Sequence, residues 1–201
     1  MKLKVAFTIV SVLLVLSLAA LGALVYQMHA GGMMVLRGPS GDAPWRASLG
    51  RFERLETPRP VPQFTFKARS GAVVDIADYR GHVVLVNLWA TWCAPCVKEM
   101  PSLARLQAEL RDLAVLAISQ DDRGAEVVDP FLQRVPVPGL AVFLDPTRAA
   151  SRAFHIEGLP TSFLIDREGR LVGGLEGVAE WDSPRMLNLL RDYVRPRPKT
   201  G

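Results

Sequence analysis

Two residues in this chain can carry covalent redox chemistry, and they stand three positions apart. Cys93 and Cys96 are its only cysteines, set in the run Trp89-Ala90-Thr91-Trp92-Cys93-Ala94-Pro95-Cys96. If a helix begins at Cys93, side chains at i and i+3 share one face and the two sulfurs can meet. A cysteine at a helix N-terminus lies among unpaired N–H groups and the positive end of the helix dipole, which favour its thiolate. Pro95 suits that first turn, where a backbone N–H is not needed. Moving a thiol from about 8.5 to about 7 raises its ionised fraction at neutral pH roughly fifteenfold, while lower basicity takes back roughly fivefold in nucleophilicity. The net gain as an attacking group is only about threefold. The larger consequence is that Cys93 becomes a better leaving group when Cys96 attacks a mixed disulfide.

The pair could also bind a metal or form an inert staple. A tetrahedral zinc site needs four ligands, and none of His29, His82 and His155 stands at ligand spacing to the cysteines. A bridge closing so short a loop constrains the unfolded chain little. Spacing and context favour redox chemistry.

The elements that must position the pair are legible as alternating strand and helix patterns, which predict an α/β domain. The apolar run His82–Trp89 reads as the strand that delivers the chain to the cysteines. Further strands are expected at Leu113–Ser119, Ala141–Leu144, Thr161–Ile165 and Leu171–Leu175, with an N-terminal hairpin of Phe64–Phe66 and Val73–Ile76. Asp166-Arg167-Glu168-Gly169 reads as a hairpin turn with a glycine available for positive φ. Helices are expected after Cys96 and over Glu126–Arg134, Pro146–Phe154 and Pro184–Val194, the last amphipathic through Met186, Leu189, Leu190 and Tyr193. Trp89 and Trp181 read as core. Pro101, five residues after Cys96, argues by itself for a break or kink.

The run Val86-Asn87-Leu88-Trp89-Ala90-Thr91-Trp92-Cys93-Ala94-Pro95-Cys96-Val97-Lys98-Glu99-Met100-Pro101 resembles the active-site signature of the TlpA/ResA-like thiol–disulfide oxidoreductases of the thioredoxin superfamily. Gly158-Leu159-Pro160-Thr161-Ser162-Phe163-Leu164-Ile165-Asp166 resembles their second signature, and the likeness extends over residues 60–195. It implies a thioredoxin-like fold, a mixed sheet flanked by helices. It implies that Pro160 is a cis-proline facing the disulfide and that the Leu159 backbone pairs with the substrate as an added strand. It also accommodates Pro101, since the family carries a kinking proline there. The candidate catalytic residues are therefore Cys93 and Cys96. The candidate substrate-binding residues are Trp92, Ala94, Pro95, Leu159 and Pro160, with simple packing an equal alternative for Trp92. Ordinary thioredoxin carries a buried aspartate where this chain has Asn87, and asparagine does not titrate. Glu99 is the candidate for proton transfer by its place on the helix, against the plainer expectation of a solvated helix residue.

The chain has 201 residues and a net charge of +4. Val5 to Val25 is an uncharged run of 21 residues after Lys2 and Lys4, which as a helix spans about 31 Å, enough for a bilayer core. It predicts a transmembrane anchor with the remainder outside the cytoplasm, in preference to a cleaved signal peptide, whose apolar region is shorter. Residues 26–59, rich in Gly and Pro, read as a linker with a short helix between Trp45 and Leu55; 60–196 form the domain, and 197–201 are a tail. No basic helix or aromatic-interleaved patch marks a nucleic-acid surface.

The expected function is thiol–disulfide exchange at the outer face of a bacterial inner membrane, in the periplasm, by a monomer with no cofactor beyond its own cysteines. The resemblance implies disulfide-bearing clients in cytochrome c maturation or oxidase copper-centre assembly, and reduction by a membrane electron carrier of the DsbD/CcdA kind. Two alternatives stand beside it. One is a copper-binding assembly factor, since two thiolates suit Cu(I). The other is a redoxin-type peroxidase, disfavoured because Thr91 lies two residues before Cys93 rather than three and no proline lies in Val83–Leu88.

Overall fold

The computed structural model describes residues 51–195. The run over 5–25 expected to be a transmembrane anchor, most of the expected linker and the expected tail lie outside them. Among the described residues no helix is long and apolar enough to cross a membrane.

Everything is arranged about one strand that is buried on both faces. The strands are β1 (Glu53–Pro60), β2 (Thr65–Ala68), β3 (Val73–Asp75), β4 (Val83–Trp89), β5 (Leu113–Ser119), β6 (Ala141–Leu144), β7 (Thr161–Ile165) and β8 (Arg170–Glu176). They form one mixed sheet in the order β1-β8-β7-β4-β5-β6-β2-β3, with β4 central. β4 runs parallel to β5 and antiparallel to β7. Its uninterrupted apolar run is the pattern of a strand covered on both sides. Val83, Leu85 and Trp89 enter one core, and Val84, Val86 and Leu88 the other. The helices are α1 (Ala94–Glu109), α2 (Ala125–Arg134), α3 (Ala149–Phe154) and α4 (Pro184–Val194). Side chains of α1, α2 and α4 fill the first core, and Ala150 and Phe154 of α3 the second. The Phe154 and Phe163 rings stack there with centroids 3.8 Å apart. This is the thioredoxin-like architecture expected.

Two local differences from the sequence expectation have physical reasons. Residues 53–60, expected partly as linker and partly as a helix ending at Leu55, form β1, an antiparallel edge strand on β8 with a register break between Arg54 and Arg59. An edge position accommodates Pro58 and Pro60, whose missing N–H groups a central strand would need. Helix α3 starts at Ala149 rather than Pro146, with left-handed Arg148 as its N-cap, and the buried Asp145 carboxylate accepts from its first two N–H groups, Ala149 N and Ala150 N. As the resemblance implied, Pro101 lies inside α1, which continues through it without ending. The Ser102 hydroxyl bonds back to the Glu99 carbonyl at 2.8 Å within the same turn.

β1 is held by a close approach at Gly173. A Cβ there would stand 2.4 Å from the Glu53 carbonyl oxygen and 2.8 Å from the Phe52 ring. Gly173→Ala should therefore cost about 1–3 kcal/mol and free β1 from β8. Denaturant unfolding and amide exchange at Arg54 check this; unchanged stability and unchanged protection would show that the approach is not a real constraint.

Candidate active site

The two cysteines lie where β4 ends and α1 begins. They form a disulfide with an S–S distance of 2.06 Å and Cα atoms 5.3 Å apart. Cys93 is the N-cap of α1, and its sulfur accepts from the Cys96 N–H at 3.3 Å. A sulfur that already receives an N–H at a helix N-terminus will hold negative charge well once the bond is cleaved. Pro95 lies in the first turn, as expected. Cys93 is 6% exposed and Cys96 fully buried, while Ala94 and Pro95 are exposed beside them.

The loop before Cys93 is pinned by a residue the sequence reading missed. The buried Asp121 carboxylate accepts from Thr91 N at 2.9 Å, from the Thr91 hydroxyl at 2.7 Å and from the Ser119 hydroxyl at 2.8 Å. Asp121 follows β5 by two residues, and β5 lies beside β4. A carboxylate just past the end of a neighbouring parallel strand was the available signal. The Thr91 hydroxyl is thereby committed to structure.

The Leu159–Pro160 bond is cis. Thr161, which follows it, pairs with Leu88 at the end of β4, so the cis-proline stands at the same end of the sheet as the cysteines. Trp92 is 65% exposed, which removes core packing as its role. Trp89 and Trp181 are wholly buried, as expected. Trp92 and Leu159 line one cavity of about 830 Å³, whose other wall is built from α3 and its flanks.

Glu99 overturns the expectation of a solvated residue. It lies one turn after Cys96 on α1 and is 2% exposed. One carboxyl oxygen accepts from Asn87 Nδ2 at 2.7 Å, the other from Ala179 N at 3.1 Å and Trp181 Nε1 at 3.2 Å. Asn87 Nδ2 also reaches the Ser162 hydroxyl at 2.9 Å, directly across the β4–β7 pair. Burial disfavours the carboxylate and raises the Glu99 pKa from 4.5 to about 7, against the three donors, which lower it. Asn87 therefore does not titrate itself but holds a neighbour that does.

Among the described residues no three His, Cys, Asp or Glu side chains converge as a metal site.

Residues 58–173, more than half of the chain, match the AhpC/TSA family. The chain belongs to the AhpC/TSA family. It is 26% identical over 175 residues to the thiol-disulfide oxidoreductase ResA of Bacillus subtilis, spanning 87% of this chain and 96% of that one. ResA of Bacillus cereus is 27% identical over 146 residues, 72% and 84% of the two chains. Among solved structures, a Chlorobium tepidum protein described as thiol:disulfide interchange protein DsbE superposes with a TM-score of 0.63 at 29% identity, covering 70% of this chain and 99% of that one. With its cysteine pair, this member of the family is a thiol–disulfide oxidoreductase of the ResA/DsbE type.

The raised Glu99 pKa has a stability consequence. Between pH 4.5 and about 7 the folded protein retains a proton that the unfolded chain has released. Stability contributed by the protonated form is thus present below 4.5 and is lost as pH rises through about 7, up to about 3 kcal/mol. Glu99→Gln removes this dependence, so its stability relative to the wild type should improve by about that amount between pH 4 and 8. Urea unfolding of both oxidised proteins across that range measures it, and a constant difference would contradict the burial. Asn87→Leu deletes one donor to the carboxylate and should raise the Glu99 pKa further above about 7, as followed by ¹³C resonance of the carboxyl carbon.

Proposed function

We propose that this protein is a membrane-anchored reductase of client disulfides on the outer, periplasmic face of a bacterial inner membrane. The observation that carries the chemistry is a buried disulfide at a helix N-terminus with a buried carboxyl one turn further along.

The reduced enzyme begins the cycle. The Cys93 thiolate attacks one sulfur of a client disulfide, forming a mixed disulfide and expelling the client's other sulfur as a thiolate, which takes a proton. Cys96 then gives its proton to the Glu99 carboxylate and attacks the Cys93 sulfur. The second client sulfur leaves as a thiolate and takes a proton from solvent, Glu99 gives its proton back to solvent, and the Cys93–Cys96 bond closes into the state seen in the structure. Two electrons have passed to the client, which gains two thiols. Burial raises a thiol's pKa, so Cys96 needs a base whose own affinity for protons is near neutrality. A carboxyl near 7 meets that need, half ionised at neutral pH. The Leu159 backbone beside the cis-proline offers the extended edge on which a client strand aligns, with Trp92, Ala94, Pro95 and Pro160 as the surrounding surface.

The compartment and the partners are read from elsewhere in the chain. The 21-residue uncharged run Val5–Val25 after Lys2 and Lys4 supports a retained anchor with the domain outside. That compartment is oxidising, so a reductase there needs an electron source. The resemblance supports a membrane dithiol carrier of the DsbD/CcdA kind as donor. It also supports apocytochrome c or copper-centre proteins as clients.

Cys93→Ser should abolish insulin reduction, and Cys96→Ser should accumulate a mixed disulfide with clients in a non-reducing pull-down. Glu99→Gln should slow the resolving step about 10–100-fold and flatten its pH dependence near 7. Full activity in Cys93→Ser would refute the mechanism. Stoichiometric Cu(I) retained by the reduced chain, without disulfide reduction, would establish the copper-binding reading instead.

A further inference from the structure

The cavity beside Trp92 has a polar wall that the exchange chemistry does not use. Arg148, Arg152 and His155, at i, i+4 and i+7 along α3 and its two flanks, all line it and are all exposed. Arg148 and His155 are the left-handed caps of α3, at φ 55° and 52°. Arg148 is anchored from outside by Asp122 at 2.5 Å, and the Arg152 guanidinium donates to the Thr147 carbonyl. Each anchor engages one guanidinium nitrogen and leaves other donors of a planar fork available. Ser151 donates to Gln120 within the same lining, at 2.5 Å. Glu157 is the only carboxylate in the lining. Asp122 balances Arg148 from outside and Glu157 is the carboxylate within the lining, so what the wall offers a ligand is the donors of Arg152 and the unengaged nitrogens of Arg148. The opposite side presents the Trp92 indole, immediately before the nucleophile.

We propose that this cavity is a specificity pocket for acidic client segments, in which Arg148 and Arg152 hold an Asp or Glu side chain close in sequence to the client's reactive cysteine. The inference rests on the exchange reaction proposed above and names the clients that reaction favours. A strand laid along Leu159 advances about 3.3 Å per residue. An acid two to four residues from the cysteine therefore falls about 7–13 Å along the client, within the span of a cavity this size. Arginine matches a carboxylate with two parallel N–H bonds. At an exposed rim such pairs act mainly on encounter rate and selectivity, and salt screens them.

The test uses the full chain in detergent micelles and two disulfide-bonded peptides that differ only in carrying Glu or Lys around the cysteine. Hydroxyethyl disulfide, small and uncharged, reports whether exchange occurs at all. The expected ratio of kcat/KM, Glu peptide over Lys peptide, is about five at about 0.02 M salt and close to one at about 0.5 M. In Arg148→Gln/Arg152→Glu the low-salt ratio should fall below one. A wild-type ratio of one at low salt, or a preference that persists in the double variant, overturns the pocket while exchange with hydroxyethyl disulfide leaves the function standing. Failure of the reduced wild type to react with hydroxyethyl disulfide removes the exchange reading and the pocket together.

Discussion

A carboxyl group taken out of water is the constraint around which the site is built. Glu99 sits between α1, the strand β4 that supplies Asn87, and the segment before α4 that supplies Ala179 and Trp181. Leaving a buried carboxylate without partners is costly, and each donor offsets part of that cost. Three donors do not fully offset it, so the proton affinity rises to a value useful at neutral pH. The same bonds tie the second turn of α1 to the sheet and to the segment before α4. The raised proton affinity and the tertiary packing thus rest on one set of bonds.

The cysteines divide two conflicting demands between them. A nucleophile must be reached, while a resolving thiol must wait until a mixed disulfide brings its target within range. The N-cap position gives Cys93 an N–H partner and a slight opening, and the next turn buries Cys96 completely. Helix geometry alone produces this asymmetry, because residues three apart share a face but differ in depth at a helix end that meets the sheet. Asp121 supports it from the neighbouring strand by fixing Thr91, so the loop presents Cys93 in one place.

Much of this was legible in residue order, and the rest was not for identifiable reasons. β4, β5 and β7 are apolar and small-residue runs whose burial on both faces overrides local ambiguity, so their limits, and those of the short apolar β6, could be read closely. The cysteine pair announced itself by spacing, and the cis bond at Pro160 was implied by family resemblance and is present. β1 could not be read, because an edge strand with two prolines and alternating charges has the composition of a linker until β8 pairs with it. Glu99 was misread for a related reason. In sequence it stands after Lys98 on a helix; its burial is decided by Asn87, twelve residues earlier, and by Trp181, 82 residues later. Arg148, Arg152 and His155 have the pattern of a solvated helix face, and only the fold sets them opposite Trp92.

Burial of the sulfurs shifts the work of recognition to their surroundings. With Cys93 only 6% exposed, a client must bring its disulfide to the sulfur along a defined path, since random collisions reach little of it. The exposed indole of Trp92 and the cis-proline edge at Leu159 border that path. In the mechanism and pocket proposed above, reactivity toward small disulfides and selectivity among proteins rest on different atoms: the first on the helix terminus and Glu99, the second on the cavity wall on α3. Changes confined to α3 would then alter the choice of client while leaving the cysteines and Glu99 in place.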